Sequence, residues 1–401
     1  MSGSGPSALH KIIYTIAVFV IKPAMKIKYG FKTDKVPDIK EPFILLSNHT
    51  TEDDMCFTAM AVRGHMYFVC GEHLLRNKLY GKLLRILIDP IPVPKGGASL
   101  EAVRSIYKRL KAGDNICMFP EGKRSFHGET IPSSVALGKL VKSAGCALVT
   151  YRIQGGYFTY PRWARKHHRK GHIEGHVVGV YGSNELSGMS AKEITDVINR
   201  DTYENAYETQ RIKMWKYRGD NKAVGMEHIL FICPKCKKMD TIRSDGDFFF
   251  CSDCGMNGKY NEYGFLEGKE LLFDNVLSWM RWIEPEFDKY AEGFKDGELM
   301  YTEEGVLLYH MRDGYRNEDI LTDTLKVYKD RMEIGTKDNG EAAGVFSYDD
   351  ISSLSILYGN ILLFTHNGVY YGLTGDRFRA WKCARLWHLI KGDTSDPSRE
   401  I

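Results

Sequence analysis

The sequence lacks a long apolar run. Its longest, IIYTIAVFVI from Ile12 to Ile21, is about half of the roughly 20 residues that cross a bilayer as a helix. On this count no transmembrane segment is expected. A secretory signal is missing too: small residues and a cleavage site would follow the apolar run. Instead KPAMKIKYGFK brings Lys22, Lys26, Lys28 and Lys32. An excess of one charge is also absent, with 55 Lys and Arg against 51 Asp and Glu and a net charge of +4. So mild a balance does not indicate a nucleic-acid protein, though local basic clusters can still meet an anionic surface. A disulfide framework is not expected. The nine cysteines form two Cys-x-x-Cys pairs and five singles, a pattern that suits a reducing compartment and a metal. No internal repeat and no low-complexity tract occurs.

What remains is a chain of 401 residues, 43% hydrophobic, long enough for two to three domains with ordinary cores. Apolar residues followed by lysines predict that residues 1–35 form an interfacial membrane segment, the lysines meeting anionic headgroups. Strand-like and helix-like patterns then alternate. Pro42 to Ser47 reads as a short buried strand, and Thr51 with Glu52, Asp53 and Asp54 as a capped helix start running to about Arg63. MYFVCG, NICMF and CALVTYRI read as further strands. NKLYGKLLRILI lies among them. SLEAVRSIYKRLKAGD puts Ala102, Val103, Ile106, Tyr107 and Leu110 on one helix face, with Gly113 as a stop. This alternation predicts an α/β domain with a mostly parallel sheet.

Two stretches carry chemistry. In LLSNHTTEDDM, residues 45 to 55, His49 falls between strand and helix. Ligands of α/β folds bind at such junctions, beyond the carboxyl ends of the strands. In FPEGKRS, residues 119 to 125, Pro120 and Gly122 force a sharp turn after a buried strand. Lys123 and Arg124 follow at once, and such a turn suits a phosphate.

Together the two stretches resemble the glycerolipid acyltransferases of the 1-acylglycerol-3-phosphate acyltransferase family. Their hallmark is Asn-His-x-x-x-x-Asp followed by Phe-Pro-Glu-Gly-Thr-Arg-Ser. Here Asn48, His49 and Asp54 supply the first motif, and Phe119 to Ser125 the second, with Lys123 in place of threonine. The resemblance covers residues 36–215. It implies an acyltransferase that moves a fatty acyl chain from acyl-CoA or acyl carrier protein to a lysophospholipid hydroxyl, most simply 1-acylglycerol-3-phosphate. It also implies that Glu121, Gly122 and Arg124 shape the acceptor site, Arg124 with Lys123 holding the phosphate. Glu121 either binds a substrate hydroxyl or pairs with Arg124 and fixes the turn. Between the motifs the family usually carries a glycine and then an arginine. This chain departs from that pattern and offers Arg85 and Lys95 as the available cations.

The chemistry can be argued from the residues alone. Acyl transfer to an alcohol needs a base near the hydroxyl and stabilisation of an oxyanion. Histidine suits the base role. Asp54 lies five residues on, about 140° around a continuous helix, so the two can meet only if His49 precedes the helix and folds back over its first turn. Asp54 would then orient the imidazole, as the acid of a serine-hydrolase triad does. The alternative is a catalytically inactive lipid-binding or scaffold protein on the same fold. The segment from Tyr151 onward holds Arg162, Arg165, Lys166, Arg169 and Lys170 around Trp163. It could meet headgroups, a CoA phosphate or an acidic carrier protein.

From residue 226 the character changes. Cys233, Cys236, Cys251 and Cys254 form two knuckles with the spacing of a closed, structural zinc site, predicting a zinc ribbon over 226–262. No nucleic-acid partner is expected. Residues 263–395 read as consecutive strands, with Asn367-Gly368 and Asp338-Asn339-Gly340 as turns. A last helix carries Cys383, Leu386, Trp387 and Ile390 on one face. That order of elements resembles the pleckstrin-homology-like fold. The expected location is the cytoplasmic face of a membrane, peripheral or monotopic, with membrane lipids, the acceptor and the acyl donor as partners.

Overall fold

Strand Phe43–Ser47 is buried at all five positions, as a strand covered on both faces must be. It sits at the centre of a seven-stranded sheet. The strands in chain order are β1 (Lys32–Thr33), β2 (Phe43–Ser47), β3 (Met66–Gly71), β4 (Ile91–Val93), β5 (Asn115–Met118), β6 (Ala147–Gln154) and β7 (Glu174–Tyr181). Their spatial order is β1-β7-β6-β2-β5-β3-β4. All neighbours run parallel except β6 and β7. The mostly parallel α/β sheet is as predicted. Alternation along β2 sends Phe43 and Leu45 into one core with Phe57, Met60 and Val149. Ile44 and Leu46 enter a second core with Ile106, Val141 and Ile198. Each such side chain, fully buried, contributes roughly 1.5–3 kcal/mol.

The computed structural model describes residues 8–76, 78–93, 99–164, 167–312, 315–336 and 341–392. Lys95, Arg165, Lys166 and the turn at 338–340 lie outside the described residues. The chain divides into two compact units. One comprises 1–159 and 169–218, the other 160–168 and 219–401.

In the first unit, helix α1 spans Ala8–Tyr29 and corrects one expectation. Its 22 residues are long and apolar enough, by length and composition, to cross a membrane. The apolar run stops at Lys22-Pro23, but the helix does not. Pro23 is accommodated inside it, and Lys26 and Lys28 sit in the last turn, where the helix dipole favours cations. Tyr14, Met25 and Tyr29 are buried in the same core as Phe57. Helix α2 spans Asp54–Ala61, starting two residues later than expected. The N-cap position falls to Asp53 and not to Thr51, whose hydroxyl accepts from the Asp53 N–H at 3.1 Å and donates to the Asp54 side chain. Helix α3 spans Lys78–Leu87 and packs against α1. Helix Leu100–Lys111 is capped by Ser99 and buries Ala102, Ile106 and Leu110. Gly113 leaves it at a φ of +85°, which favours glycine.

The second unit holds a four-stranded sheet made of β8 (Ile242–Asp245), β9 (Phe248–Cys251), β10 (Asn257–Tyr260) and β11 (Leu266–Glu267). Helix α4 (Val276–Glu292) follows, capped by Asn275. Seven antiparallel strands come next: β12 (Leu299–Arg312), β13 (Tyr315–Tyr328), β14 (Arg331–Thr336), β15 (Ala342–Ser347), β16 (Ile351–Leu357), β17 (Ile361–His366) and β18 (Val369–Thr374). Their order is β15-β14-β13-β12-β18-β17-β16. His366 pairs with Val369 around Asn367-Gly368, whose φ values of +49° and +78° suit a two-residue hairpin turn. Helix α5 (Ala380–Ile390) buries Cys383, Leu386 and Trp387. Of the basic stretch after Tyr151, Lys170 is exposed, whereas Arg162 and Arg169 are buried. Arg162 and Trp163, in the second unit, are 5% and 0% exposed, and Arg162 donates to the Ile356 carbonyl. Arg169, in the first unit, is 2% exposed.

Candidate active site

β2 and β5 are parallel neighbours, with Leu46 opposite Met118. The two motif loops therefore leave the sheet side by side at its carboxyl edge. Backbone and side chain then join them. The His49 N–H donates to Glu121 Oε1 at 2.7 Å, and the Ser125 N–H donates to the His49 carbonyl at 2.8 Å. Glu121 Oε2 accepts from the Ile131 N–H at 3.1 Å. With both oxygens holding amides, Glu121 fixes the turn and the histidine loop. The Gly122 N–H closes that turn on the Phe119 carbonyl at 3.0 Å, and its φ of +69° explains the glycine.

The geometry required of the dyad is present. His49 Nδ1 lies 2.8 Å from Asp54 Oδ2, with Asp54 fully buried and the imidazole 22% exposed. A carboxylate at Nδ1 fixes the tautomer that leaves the Nε2 lone pair for substrate. Asp54 is not an orphan charge. Oδ2 also accepts from the Thr50 and Thr51 N–H groups, and Oδ1 from both threonine hydroxyls. Phe119 stacks on the His49 ring with centroids 4.6 Å apart. Asn48 locks the loop base, its amide donating to the Ile153 carbonyl at 2.8 Å and accepting the Ile153 N–H at 2.7 Å.

Arg124 reaches back to the first motif. Its Nη2 is 3.3 Å from Glu52 Oε1, the guanidinium 10% exposed and the acid 64%. Lys123 is half-buried. Arg85 is exposed on α3. An open recess beside the dyad is lined by His49, Ser125, Thr130, Tyr157 and Glu204, among others. Glu204 is 5% exposed. Burial pushes its carboxyl up, and among the described residues its Oε1 has no hydrogen-bond partner. Sequence reasoning missed Asn48 as a clamp, the threonine shell, the Glu52–Arg124 pair and Glu204. Only the Thr50-Thr51 step carried a local signal, two hydroxyls between the histidine and its acid.

In the second unit the four cysteines converge. Their sulfurs all lie within 4.8 Å of one another, with Cys233–Cys254 at 3.7 Å and Cys236–Cys251 at 3.8 Å. A tetrahedral metal with sulfur at about 2.3 Å requires edges of about 3.8 Å. The cluster fits such an ion, and four thiolates would leave no open position on it.

Residues 28–154, which contain both motif loops, match the protein-family model described as Acyltransferase. Over 121 residues the chain is 28% identical to the 1-acyl-sn-glycerol-3-phosphate acyltransferase of Streptococcus pneumoniae, a match covering 30% of this chain and 45% of that protein. The chain thus spans about half the length of the curated relative it matches. It is also similar to the crystal structure of the 1-acyl-sn-glycerophosphate (LPA) acyltransferase PlsC from Thermotoga maritima. The TM-score is 0.40 and the identity 19%, covering 48% of this chain and 79% of that one.

Proposed function

We propose that the chain is an acyltransferase moving a fatty acyl group from a thioester, acyl-CoA or acyl carrier protein, to a lysophospholipid hydroxyl. The acceptor we favour is 1-acylglycerol-3-phosphate. The observation that carries this reading is the bond from His49 Nδ1 to the buried Asp54 at a loop tied to the Phe119–Ser125 turn. The family match over the same residues and the name of the Streptococcus relative support it. His49 Nε2 takes the hydroxyl proton as that oxygen attacks the thioester carbonyl. Asp54 stabilises the imidazolium so formed. The tetrahedral intermediate collapses, the C–S bond breaks, and the imidazolium returns its proton to the departing thiolate. Arg124, with Lys123, holds the acceptor phosphate. Lys95 and Arg85 remain the candidates for the cation between the motifs.

The four cysteines hold a structural zinc, which when bound ties two knuckles together and does no chemistry at the dyad. Seven antiparallel strands ending in one helix support the pleckstrin-homology-like reading of the C-terminal region. The protein works on the cytoplasmic face of a membrane as a peripheral or monotopic enzyme. Its α1 lies in the interface, since Tyr14 and Tyr29, 3% and 2% exposed, keep one side of that helix against protein. The test is steady-state turnover of lysophosphatidic acid with a long-chain acyl donor. His49→Ala should lose about 10² to 10⁴ in rate, with an unchanged melting temperature. Near-normal turnover by the folded variant would leave the inactive lipid-binding scaffold as the better reading.

A further inference from the structure

Helix α3 is built the wrong way round for a surface helix. Its core-facing positions are Gly81, Leu84 and the half-buried Ile88 just beyond its end. Its outward face carries Leu79, Leu83 and Ile86, at 83%, 48% and 45% exposure, with Tyr80 at 45%. Spacings of three and four residues put these side chains on one stripe. Lys82 and Arg85, both exposed, flank the stripe on one side. Helix α1, packed against α3, repeats the pattern. Opposite its buried Tyr14, Met25 and Tyr29 it exposes Ile12, Ile16, Phe19 and Val20, with Lys22 and Lys26 beside them. Exposed apolar surface on two adjoining helices, bordered by cations, is what an anionic lipid interface recognises.

The location adds to the argument. β3 runs parallel to β5, so the chain leaving β3 toward α3 emerges at the same sheet edge as the two motif loops. Ile88, just beyond the end of α3, packs against the core that holds Phe57 and Met60 of the dyad's helix. We infer that α3 is a second bilayer-docking element, which joins α1 in one apolar face and seats the carboxyl edge of the sheet on an anionic phospholipid surface. A lysophospholipid could then reach His49 without leaving the lipid phase. The inference rests on the interfacial reading of α1 and deepens it.

The test uses the full chain with phosphatidylcholine vesicles, with and without phosphatidylglycerol, followed by flotation. Leu83→Glu with Ile86→Glu should weaken partitioning into the anionic vesicles by about tenfold per residue, the melting temperature without vesicles unchanged. Lys82→Glu with Arg85→Glu should weaken binding to the anionic vesicles alone, most at low salt. A tryptophan introduced by Leu83→Trp should be quenched by bromine-labelled acyl chains. Full binding by the Leu83/Ile86 variant, or an unquenched Leu83→Trp, overturns the role of α3. If Phe19→Glu still abolishes binding in that case, the reading of α1 survives. If Phe19→Glu is also without effect, that reading falls too. A variant that only turns a dimer into a monomer, with vesicle binding intact, assigns the face to a second copy and overturns the proposal. Acyl transfer plays no part in any of these measurements.

Discussion

Glu52, expected from its position to serve the helix dipole, stands 3.3 Å from Arg124, the residue proposed to hold the acceptor phosphate. Before substrate binds, the guanidinium already has an anion, and a phosphate must displace it. The acid is 64% exposed, so the pair contributes about 1 kcal/mol at most. Glu52→Gln should therefore lower KM for a phosphate-bearing acceptor by up to about fivefold at low salt, with kcat nearly unchanged. Arg124→Ala should raise the same KM. An unchanged KM in Glu52→Gln would show that the two charges do not compete. At this scale the sequence was legible where chemistry is local in the chain. His49 and Asp54 could be paired because a loop before a helix lets the ring fold back five residues on. Asn48 could not be read as a clamp, because its partner Ile153 lies 105 residues away. Glu204 was equally hidden, since nothing in its neighbourhood along the chain shows that it will line the recess beside His49.

Elements carry the next layer of constraint. The strand–helix alternation and the Asn367-Gly368 hairpin were legible because hydrophobic period and turn chemistry are local signals. The extent of α1 was not, since packing of Met25 and Tyr29 carries the helix through Pro23. That packing also links α1 to the dyad's helix. Asp53 accepts from the Tyr29 hydroxyl at 2.5 Å and from Lys28 at 2.9 Å. Asp53→Asn should therefore cost about 1.5 kcal/mol, more than a dipole contact alone, and Tyr29→Phe should not add to it in thermal unfolding. At the other end of α1, His65 sits among His10, Tyr14 and Tyr67, and among the described residues neither of its ring nitrogens has a hydrogen-bond partner. Burial, then the charges of His10, Lys11 and Arg109, hold its pKa down at about 4 against 6.5. The sign follows from the lowered value. Above 6.5 both folded and unfolded chains carry neutral His65 and its contribution is complete. As pH falls from 6.5 to about 4 the unfolded chain takes a proton that the folded one resists, and stability is lost. The melting temperature should fall more steeply across that window in the wild type than in His65→Phe, which keeps the ring. Parallel curves would mean that His65 is not the group responsible.

At the scale of the whole molecule, the second unit ties its cysteine cluster to its C-terminal helix through buried charge. Asp240 lies between the two knuckles in the sequence. It accepts from Lys382 Nζ at 2.7 Å and lies 3.2 Å from Arg379 Nε. Lys382 is fully buried on α5, and its other counter-charge is Glu303 of β12 at 2.6 Å. Burial raises the Glu303 carboxyl, opposed by the Lys382 charge. The set is therefore balanced only while Asp240 stays in place. An ion at the four sulfurs would hold the loop that carries Asp240, so losing it should be felt beyond the knuckles. Asp240 is 31% exposed, so removing it costs less than the roughly 3 kcal/mol of a fully buried pair. Metal analysis should find one zinc per chain. Chelation or Cys251→Ser should unfold residues 230 to 260 and also raise hydrogen exchange in α5. Asp240→Asn, with zinc still bound, should reproduce the α5 effect while the knuckles stay protected. If chelation exposed the knuckles and left α5 as protected as before, the charge network would not transmit the metal's effect. If the purified protein held no zinc yet was folded and active, the cysteine cluster would need another explanation.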